Sequence, residues 1–309
     1  MKDFSKKQAG ILNRVDLKTF KGKLLYWTFF GILVTVALIT FLPAIWMVLT
    51  AFKSTQEIYS STSFLPANFS LAYAAEKVVT AWNVLDLKKN IVNTLLVSLG
   101  NVVFSIAVCG LAGFVLSKKR VPGTRVVFVL AIWTMMMPGA IRTVPQYMSY
   151  LSFPFVFDDK LGIPTNYNIL DTYLPIWLGV AANSFNIVLF KNNFDAVSDS
   201  IVEAASIDGC SNLKIFFKIM LPIALPVVIY VSIESLSIAW ADYFTPYIVL
   251  KSAEKMTVPA KIFMIKSDTT VTTNIYMMGL IFASIPALLI FCAFQKYIVG
   301  GITLGGVKG

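Results

Sequence analysis

LLYWTFFGILVTVALITFLPAIWMVLTAF, residues 24–52, runs for 29 residues between Lys23 and Lys53 without a charged side chain. A helix rises about 1.5 Å per residue and a bilayer core is about 30 Å thick, so about 20 apolar residues suffice to cross it. This stretch is a membrane span. Seven basic residues precede it, as in a secretory signal, but a signal's apolar region is only about 7 to 15 residues long and ends at a small-residue cleavage site. The run is too long for that reading.

Five further segments repeat the pattern along the chain. Asn90 to Ser117 is uncharged and stops against Lys118, Lys119 and Arg120, a cluster too costly to leave in hydrocarbon. Val126 to Ile141 and Thr143 to Phe157 are separated by Arg142, with Pro138, Gly139 and Pro145 close by. They read as a helix from Val126 to Met137 that continues past a kink to about Leu151. Thr172 to Phe190 is a minimal span closed by Lys191. Ile219 to Ile233 and Ser235 to Ala241 read as one span punctuated by Glu234, and the last span lies between Asp268 and Lys296. The sequence predicts an all-α polytopic membrane protein with six transmembrane helices.

Composition agrees. Apolar residues make up 57% of the 309, charged residues 14%, and the mean hydropathy is +0.74, against about 25% charged residues in ordinary soluble chains. Histidine is absent, which removes His-based acid–base chemistry, His metal sites and the Ser-His-Asp and Cys-His nucleophiles together. Cys109, Cys210 and Cys292 are widely separated and define neither a disulfide framework nor a CxxC site. No metal site is expected. The 26 basic residues against 16 acidic ones read as an orientation signal and not as a nucleic-acid surface. With six spans, 16 basic residues fall on the side of the termini and 10 on the other. The N-terminal cluster and the short loop at Lys118 place both termini in the cytoplasm, at a cell membrane crossed several times.

The longest loop on that side, residues 191–222, holds Ser198-Asp-Ser-Ile-Val-Glu-Ala-Ala-Ser-Ile-Asp-Gly-Cys210. Ser198 or Asp199 is a good N-cap, Glu203, Ala204 and Ala205 form helix well, and Asp208-Gly209 supplies a stop that turns with positive φ. A helix of about two turns follows. Beyond it Leu213, Phe216, Phe217, Met220 and Leu221 recur at helical spacing, predicting a second helix along the membrane surface or under the bundle. Pro222 and Pro226 open the fifth span.

Glu203-Ala-Ala-Ser-Ile-Asp-Gly209, followed by Leu221-Pro-Ile-Ala-Leu-Pro226, resembles the EAA loop of the membrane-spanning subunits of ATP-binding-cassette importers. The tail Gln295-Lys-Tyr-Ile-Val-Gly-Gly-Ile-Thr-Leu-Gly-Gly-Val-Lys-Gly309 is similar to the C-terminal pattern of their carbohydrate-uptake branch, which includes the six-span permease of the maltose transporter. Phe64-Leu-Pro-Ala-Asn-Phe-Ser70 with Tyr73, Met137-Pro-Gly139 with Pro145 and Tyr147, and Trp240-Ala-Asp-Tyr243 resemble further stations of that family. The family usually carries Asn where Ala241 stands. The likeness covers Phe52 to Gly309, and residues 1–51 match as a basic anchor and a span.

The resemblance implies a permease subunit of an ATP-driven sugar or oligosaccharide importer. Its partners would be a second homologous permease, two ATP-binding subunits and an extracellular sugar-binding protein. In such assemblies the short helix is a cytoplasmic coupling helix that docks in a cleft on the ATPase. Here Glu203, Ala204, Ala205, Asp208 and Gly209 would carry the coupling, with Glu203 offering a charge-assisted bond. Gly305, Gly306 and Lys308 would lie against the ATPase pair, although a flexible terminus would have the same composition. The organisation is then a basic segment 1–23, a permease region 24–299 with its coupling loop 191–222, and a Gly-rich tail 300–309. No GxxxxGK[ST] loop occurs, so this chain binds no cofactor itself, is no enzyme, and leaves ATP and Mg to its partner.

Ionisable groups in spans are expensive and usually face a wet cavity or a partner. Arg142, Glu234 and Asp242, with Tyr147, Trp240 and Tyr243, are therefore candidate translocation-path residues. Each has a plainer alternative: Arg142 snorkelling to the outer interface, Glu234 bonded to a neighbouring helix, the aromatics packed in the core or belt. A proton- or ion-coupled secondary transporter using Glu234 is a second functional reading, but the internal repeats common in such chains are not found. A membrane transferase would need clustered carboxylates, and the only adjacent acidic pair is Asp158-Asp159 in an outer loop. The second span is dense in small residues, Ser98, Gly100, Ser105, Ala107, Gly110, Ala112 and Gly113, which predicts close helix packing.

Overall fold

A computed structural model describes residues 19–301, apart from 62, 68, 120, 154–167, 267 and 269. Residues 1–18, and the tail positions Gly305, Gly306 and Lys308, lie outside the described residues. Helix α1 (Phe20–Ala51) begins at Thr19, whose hydroxyl accepts from the Gly22 amide at 3.1 Å. It is apolar all round, and its large side chains from Leu24 to Val48 stay exposed. That is the surface expected of a helix facing lipid.

Two helices that hydropathy did not mark follow: α2 (Thr55–Ser60), capped by Ser54, and α3 (Leu71–Val84), capped by Ser70. Helix α4 (Leu87–Lys118) is the central post, with other helices of the bundle packed around it. Its small residues make this possible. A Cβ on Gly100 would stand 2.0 Å from Trp177 Nε1, one on Gly113 2.6 Å from Phe190 Cβ, and one on Gly110 3.0 Å from Phe216 Cζ. The close packing predicted for this span is observed.

Each of the next three apolar segments is a pair of helices. In the third, α5 (Thr124–Met136) and α6 (Gly139–Leu151) meet at 115°. The expected kink is at the expected place and is sharper than a right angle. Met137, preceding Pro138, is extended, and Pro138 has no N–H to continue the ladder. The fourth is α7 (Leu174–Ala181) and α8 (Ser184–Asp195), bent by 50°. One unbroken span over 172–190 was expected. Asn183 interrupts it because its side chain accepts from the amides of Phe185 and Asn186, at 2.9 and 3.4 Å, and so starts a new helix.

Helix α9 (Asp199–Ile207) fills the loop that follows. Beyond it α10 (Asn212–Ile215), a π-helical turn over Phe216–Met220 and α11 (Leu221–Ile223) lead into α12 (Leu225–Ala241), bent by 86° at Ala224. The uncharged run read as the fifth span starts at Ile219, but the helix that carries it starts at Leu225, between the two prolines expected to open it. Pro222 and Pro226 each remove a helix donor, and the π turn is closed by the Leu221 amide bonding Phe216 O. The amphipathic helix predicted here packs under the bundle, with Ile215, Phe216 and Met220 fully buried. Two short helices, α13 (Phe244–Val249) and α14 (Val258–Ile265), precede α15 (Thr273–Gly301).

Hydrogen bonds identify two ends of the molecule. At one, Lys118 Nζ reaches Val197 O at 2.5 Å and Asp199 Oδ1 at 2.6 Å, and Lys119 Nζ reaches Asn212 Oδ1 at 2.7 Å. At the other, Asn93 Nδ2 donates to Glu254 O and Met256 O, Asn274 Nδ2 to Lys53 O, and Asp171 holds the 251–255 segment. Buried clusters lie toward each end, one around Phe190, Phe194 and Phe216, the other around Leu85, Trp240 and Val258. Helices α4 and α7–α8 run between the two ends.

Candidate functional site

Helix α9 has the predicted start and stop. The Ser198 hydroxyl accepts from the Ser200 amide at 3.4 Å. At the other terminus the Gly209 amide bonds Ser206 O at 3.1 Å and the Cys210 amide bonds Ala205 O at 3.0 Å. These two bonds are the Schellman pattern, and Gly209 takes the required left-handed conformation, φ 76°. Asp199, at the first turn, faces the favourable end of the helix dipole and meets the Lys118 ammonium.

The faces of α9 divide. Val202 and Ala205 turn inward against the cluster of Phe194, Phe216 and Met220. Ala205 is only 8% exposed, so its small side chain serves the contact with this chain's own bundle. Glu203, Ala204, Asp208 and Gly209 are exposed. Ile207 is 86% exposed, an apolar side chain without cover at the tip. The spacing of Val202 and Ala205 was a signal for the inward face; Ile207 and the Lys118 anchor were not singled out.

The breaks of α5–α6 and α7–α8 face one another. Between them lies a cavity of about 350 Å3 lined by Thr134, Met135, Arg142, Gly179, Asn183, Ser184 and Ile238, among others. Thr134 and Ser184 are joined across it through their hydroxyls at 2.6 Å. Arg142 forms no hydrogen bond or ion pair with the described residues, and its side chain is exposed.

Glu234 lies on α12 and is partly buried. Asn186 Nδ2 donates to Glu234 Oε2 at 2.6 Å, and Asn186 is fully buried on α8. This links the carboxylate to a neighbouring helix, a partner that sequence reading did not identify because the two residues are 48 positions apart. Asn186 Oδ1 and the Ser235 hydroxyl are buried beside this segment with no partner among the described residues.

The other path candidates are dispersed. Trp240 is 6% exposed and packs with Leu85, Val258 and Ile262, so its indole presents no open face. Asp242 ends α12 and accepts from the amides of Phe244 and Thr245, at 3.0 and 3.1 Å. Tyr243 is exposed and stacked on Phe263 with centroids 4.6 Å apart, while Tyr147 packs against the cluster containing Tyr150. Asp171 was overlooked by the sequence reading. At φ 59°, its carboxylate accepts from the amides of Lys251 and Ser252, the Ser252 hydroxyl and Lys255 Nζ. The Ser252 bonds, then Lys255 and the Lys251 amide, hold its carboxyl well below the usual carboxylate range.

With this geometry in place, comparison with known proteins identifies a family. Residues 106–303 match the family model described as "Binding-protein-dependent transport system inner membrane component". The chain is 28% identical over 305 residues to the polygalacturonan/rhamnogalacturonan transport system permease protein YtcP of Bacillus subtilis (strain 168), covering 94% of this chain and 100% of that one. It is similar in fold to a chain of a bacterial ABC transporter involved in the import of the acidic polysaccharide alginate, with a TM-score of 0.67, 23% identity, and coverage of 90% and 98%. A second structure, bacterial alginate ABC transporter in complex with alginate pentasaccharide-bound periplasmic protein, matches with a TM-score of 0.62 and 16% identity, covering 95% and 99%.

Proposed function

The chain belongs to the family of binding-protein-dependent transport system inner membrane components, and from that premise we propose that it is the membrane-spanning subunit of an ATP-driven sugar or oligosaccharide importer. The observation that carries the reading is α9. It is a short helix with one face locked into the bundle by Val202 and Ala205, and the other, with Glu203, Ala204 and Ile207, left uncovered at the end marked by Lys118. A rigid helix anchored in this way can pass a push from a docked ATPase to the central post α4. Glu203 then pairs with a basic group of the cleft and Ile207 fills an apolar part of it.

Hydrolysis belongs to two separate ATP-binding subunits, which use ATP and Mg. A second, homologous permease completes the pathway, and α1 supplies an apolar surface toward it or toward lipid. Gly305, Gly306 and Lys308 are proposed to lie against the ATPase. An extracellular sugar-binding protein delivers substrate at the opposite end, a role supported by the periplasmic protein in the alginate complex. We count each bent pair as one crossing, which makes six spans with both termini cytoplasmic. The alginate transporter is named for import of an acidic polysaccharide and YtcP for polygalacturonan/rhamnogalacturonan transport, so uronate-containing oligosaccharides belong among the substrates to be tried. The ion-coupled alternative draws no support from these relatives.

The path is proposed to run by Arg142, Tyr147, Glu234, Asp242 and Tyr243, with Trp240 supporting it from the core. The test of the whole reading is uptake into proteoliposomes of the assembled complex. Labelled oligosaccharide should accumulate only with ATP, the ATPase subunits and the binding protein together. Accumulation driven by a proton or sodium gradient without ATP would overturn it.

A further inference from the structure

We propose that the cavity between the α5–α6 and α7–α8 breaks is an anion-accepting subsite, in which Arg142 takes the carboxylate of an acidic oligosaccharide. This rests on the importer reading and names a substrate class for it. The first argument is charge. Among the residues lining the cavity Arg142 is the one ionisable group, and no acidic side chain among the described residues pairs with it. Glu234 is not its counter-ion. That carboxylate is engaged by Asn186 at 2.6 Å and does not line the cavity, where α12 contributes Ile238.

The Arg142 guanidinium is exposed on the cavity wall and unpaired among the described residues, so an entering anion meets an available cation. The second argument is shape. A volume of about 350 Å3 lies within the range of roughly 300 to 1,000 Å3 typical of small-molecule sites. The third is the chemistry of the walls. Thr134 and Ser184 place hydroxyls there, already oriented by their mutual bond at 2.6 Å, and the backbone around Ala182 and Asn183 has left helical geometry. Broken helices put unpaired backbone groups at such points. Hydroxyls beside a planar cation suit a sugar acid, in which ring hydroxyls flank a carboxylate. The guanidinium fork binds that carboxylate through two parallel bonds, which a lysine cannot reproduce.

The test uses the assembled importer in membranes, with Cys109, Cys210 and Cys292 replaced and a single reporter, Met135→Cys, on the cavity wall. Labelling rates are compared for a sulfonate-bearing and an ammonium-bearing methanethiosulfonate, each normalised to a small free thiol. A full charge a few ångströms away, screened by solvent, should favour the sulfonate by about tenfold. Arg142→Gln should bring the ratio to within about twofold of unity, and Arg142→Lys should keep it. Trigalacturonate should slow labelling when Arg142 is present, and its carboxyl-reduced neutral counterpart should not. A ratio near unity with Arg142 intact means that the cation is already paired, for example by a carboxylate of the second permease, and overturns the proposal. Equal protection by the acidic and neutral trisaccharides, or protection by neither, does so as well. If Arg142→Gln fails to assemble, the ratio and the protection in the Arg142 protein still decide. None of these measurements requires transport, so a failure of ATP-driven uptake would sink the importer reading separately.

Discussion

Gly209 sits at φ 76° with open space where a side chain would project, so substitution there changes backbone strain and little else. A residue with a Cβ pays roughly 1 to 2 kcal/mol in the left-handed region, and a β-branched one more. Asn is the best tolerated replacement. We therefore expect Gly209→Val to cut ATP-dependent uptake by about tenfold or more, and Gly209→Asn to retain most of it. Membrane levels of both should stay normal. Equal uptake by the two variants would show that the Schellman turn is not required. This residue was legible in the sequence because Asp-Gly after a run of helix formers has one ordinary meaning. Ala205 was legible only in part. Its place in the string pointed to the coupling helix, but which face it occupies depended on where Phe194, Phe216 and Met220 come to lie.

At the scale of elements, the positions of the apolar segments followed from counting uncharged residues, and the prolines marked the break between α5 and α6, while the break at Asn183 went unread. Hydropathy measures transfer free energy and carries no direction, so α7–α8 looked continuous until Asn183 was seen to restart the helix, whereas Pro222 and Pro226 had marked the start of α12. Helices α2, α3, α13 and α14 escaped for a related reason: they are too short to register as spans, and α2, α3 and α14 also carry charges. Two predictions belong here. The Lys118 side chain is 4% exposed and tied to Val197 O and Asp199, so it fastens the start of α9 to the foot of α4. Lys118→Met should lower uptake by about fivefold or more while the ATPase subunits still co-purify, since the bond removed is charge-assisted and partly buried. Loss of co-purification would instead make Lys118 a determinant of assembly. Asp171 joins the segment before α7 to the loop before α14. Its carboxyl titrates lower in the folded protein than in the unfolded chain. Its contribution is therefore complete above the unfolded value, about 3.9, and declines as pH falls from there toward the depressed folded value. Asp171→Asn should lower the melting temperature of the detergent-purified protein by a constant amount between about pH 5 and 7, and the gap should narrow below about pH 4. A gap that widens on acidification would contradict this assignment.

For the whole molecule, the bent pairs raise the question of whether a pair crosses the membrane or returns to the side it came from. A 115° bend between α5 and α6 suits either course when taken alone. The hydrogen bonds at the two ends argue for crossing. Helix α5 starts just beyond Lys118 and Lys119, which bond the α9 region. Helix α6 ends beside Tyr150, whose carbonyl accepts from the Ile169 amide, close to the Asp171 clamp. The chain has thus passed from one end to the other. Helix α8 brings it back to Asp195, near α9, and α12 carries it again to the Asp171 end, where the Asp171 amide bonds Val249 O. On the proposed reading, three pairs that each traverse the molecule, added to α1, α4 and α15, would make six crossings. That count would set α9 and both termini on one face, and the basic residues at 1–23 and 118–125 favour the cytoplasm for it. Single cysteines in a cysteine-free background check this directly. Ala253→Cys, exposed beside the Asp171 clamp, should react with a membrane-impermeant maleimide in intact cells, and Ile207→Cys only after the membrane is permeabilised. Labelling of both in intact cells would mean that at least one bent pair turns back within the bilayer. Because α9 would then face outward, where no ATP is hydrolysed, that result would remove the basis for coupling along with the topology.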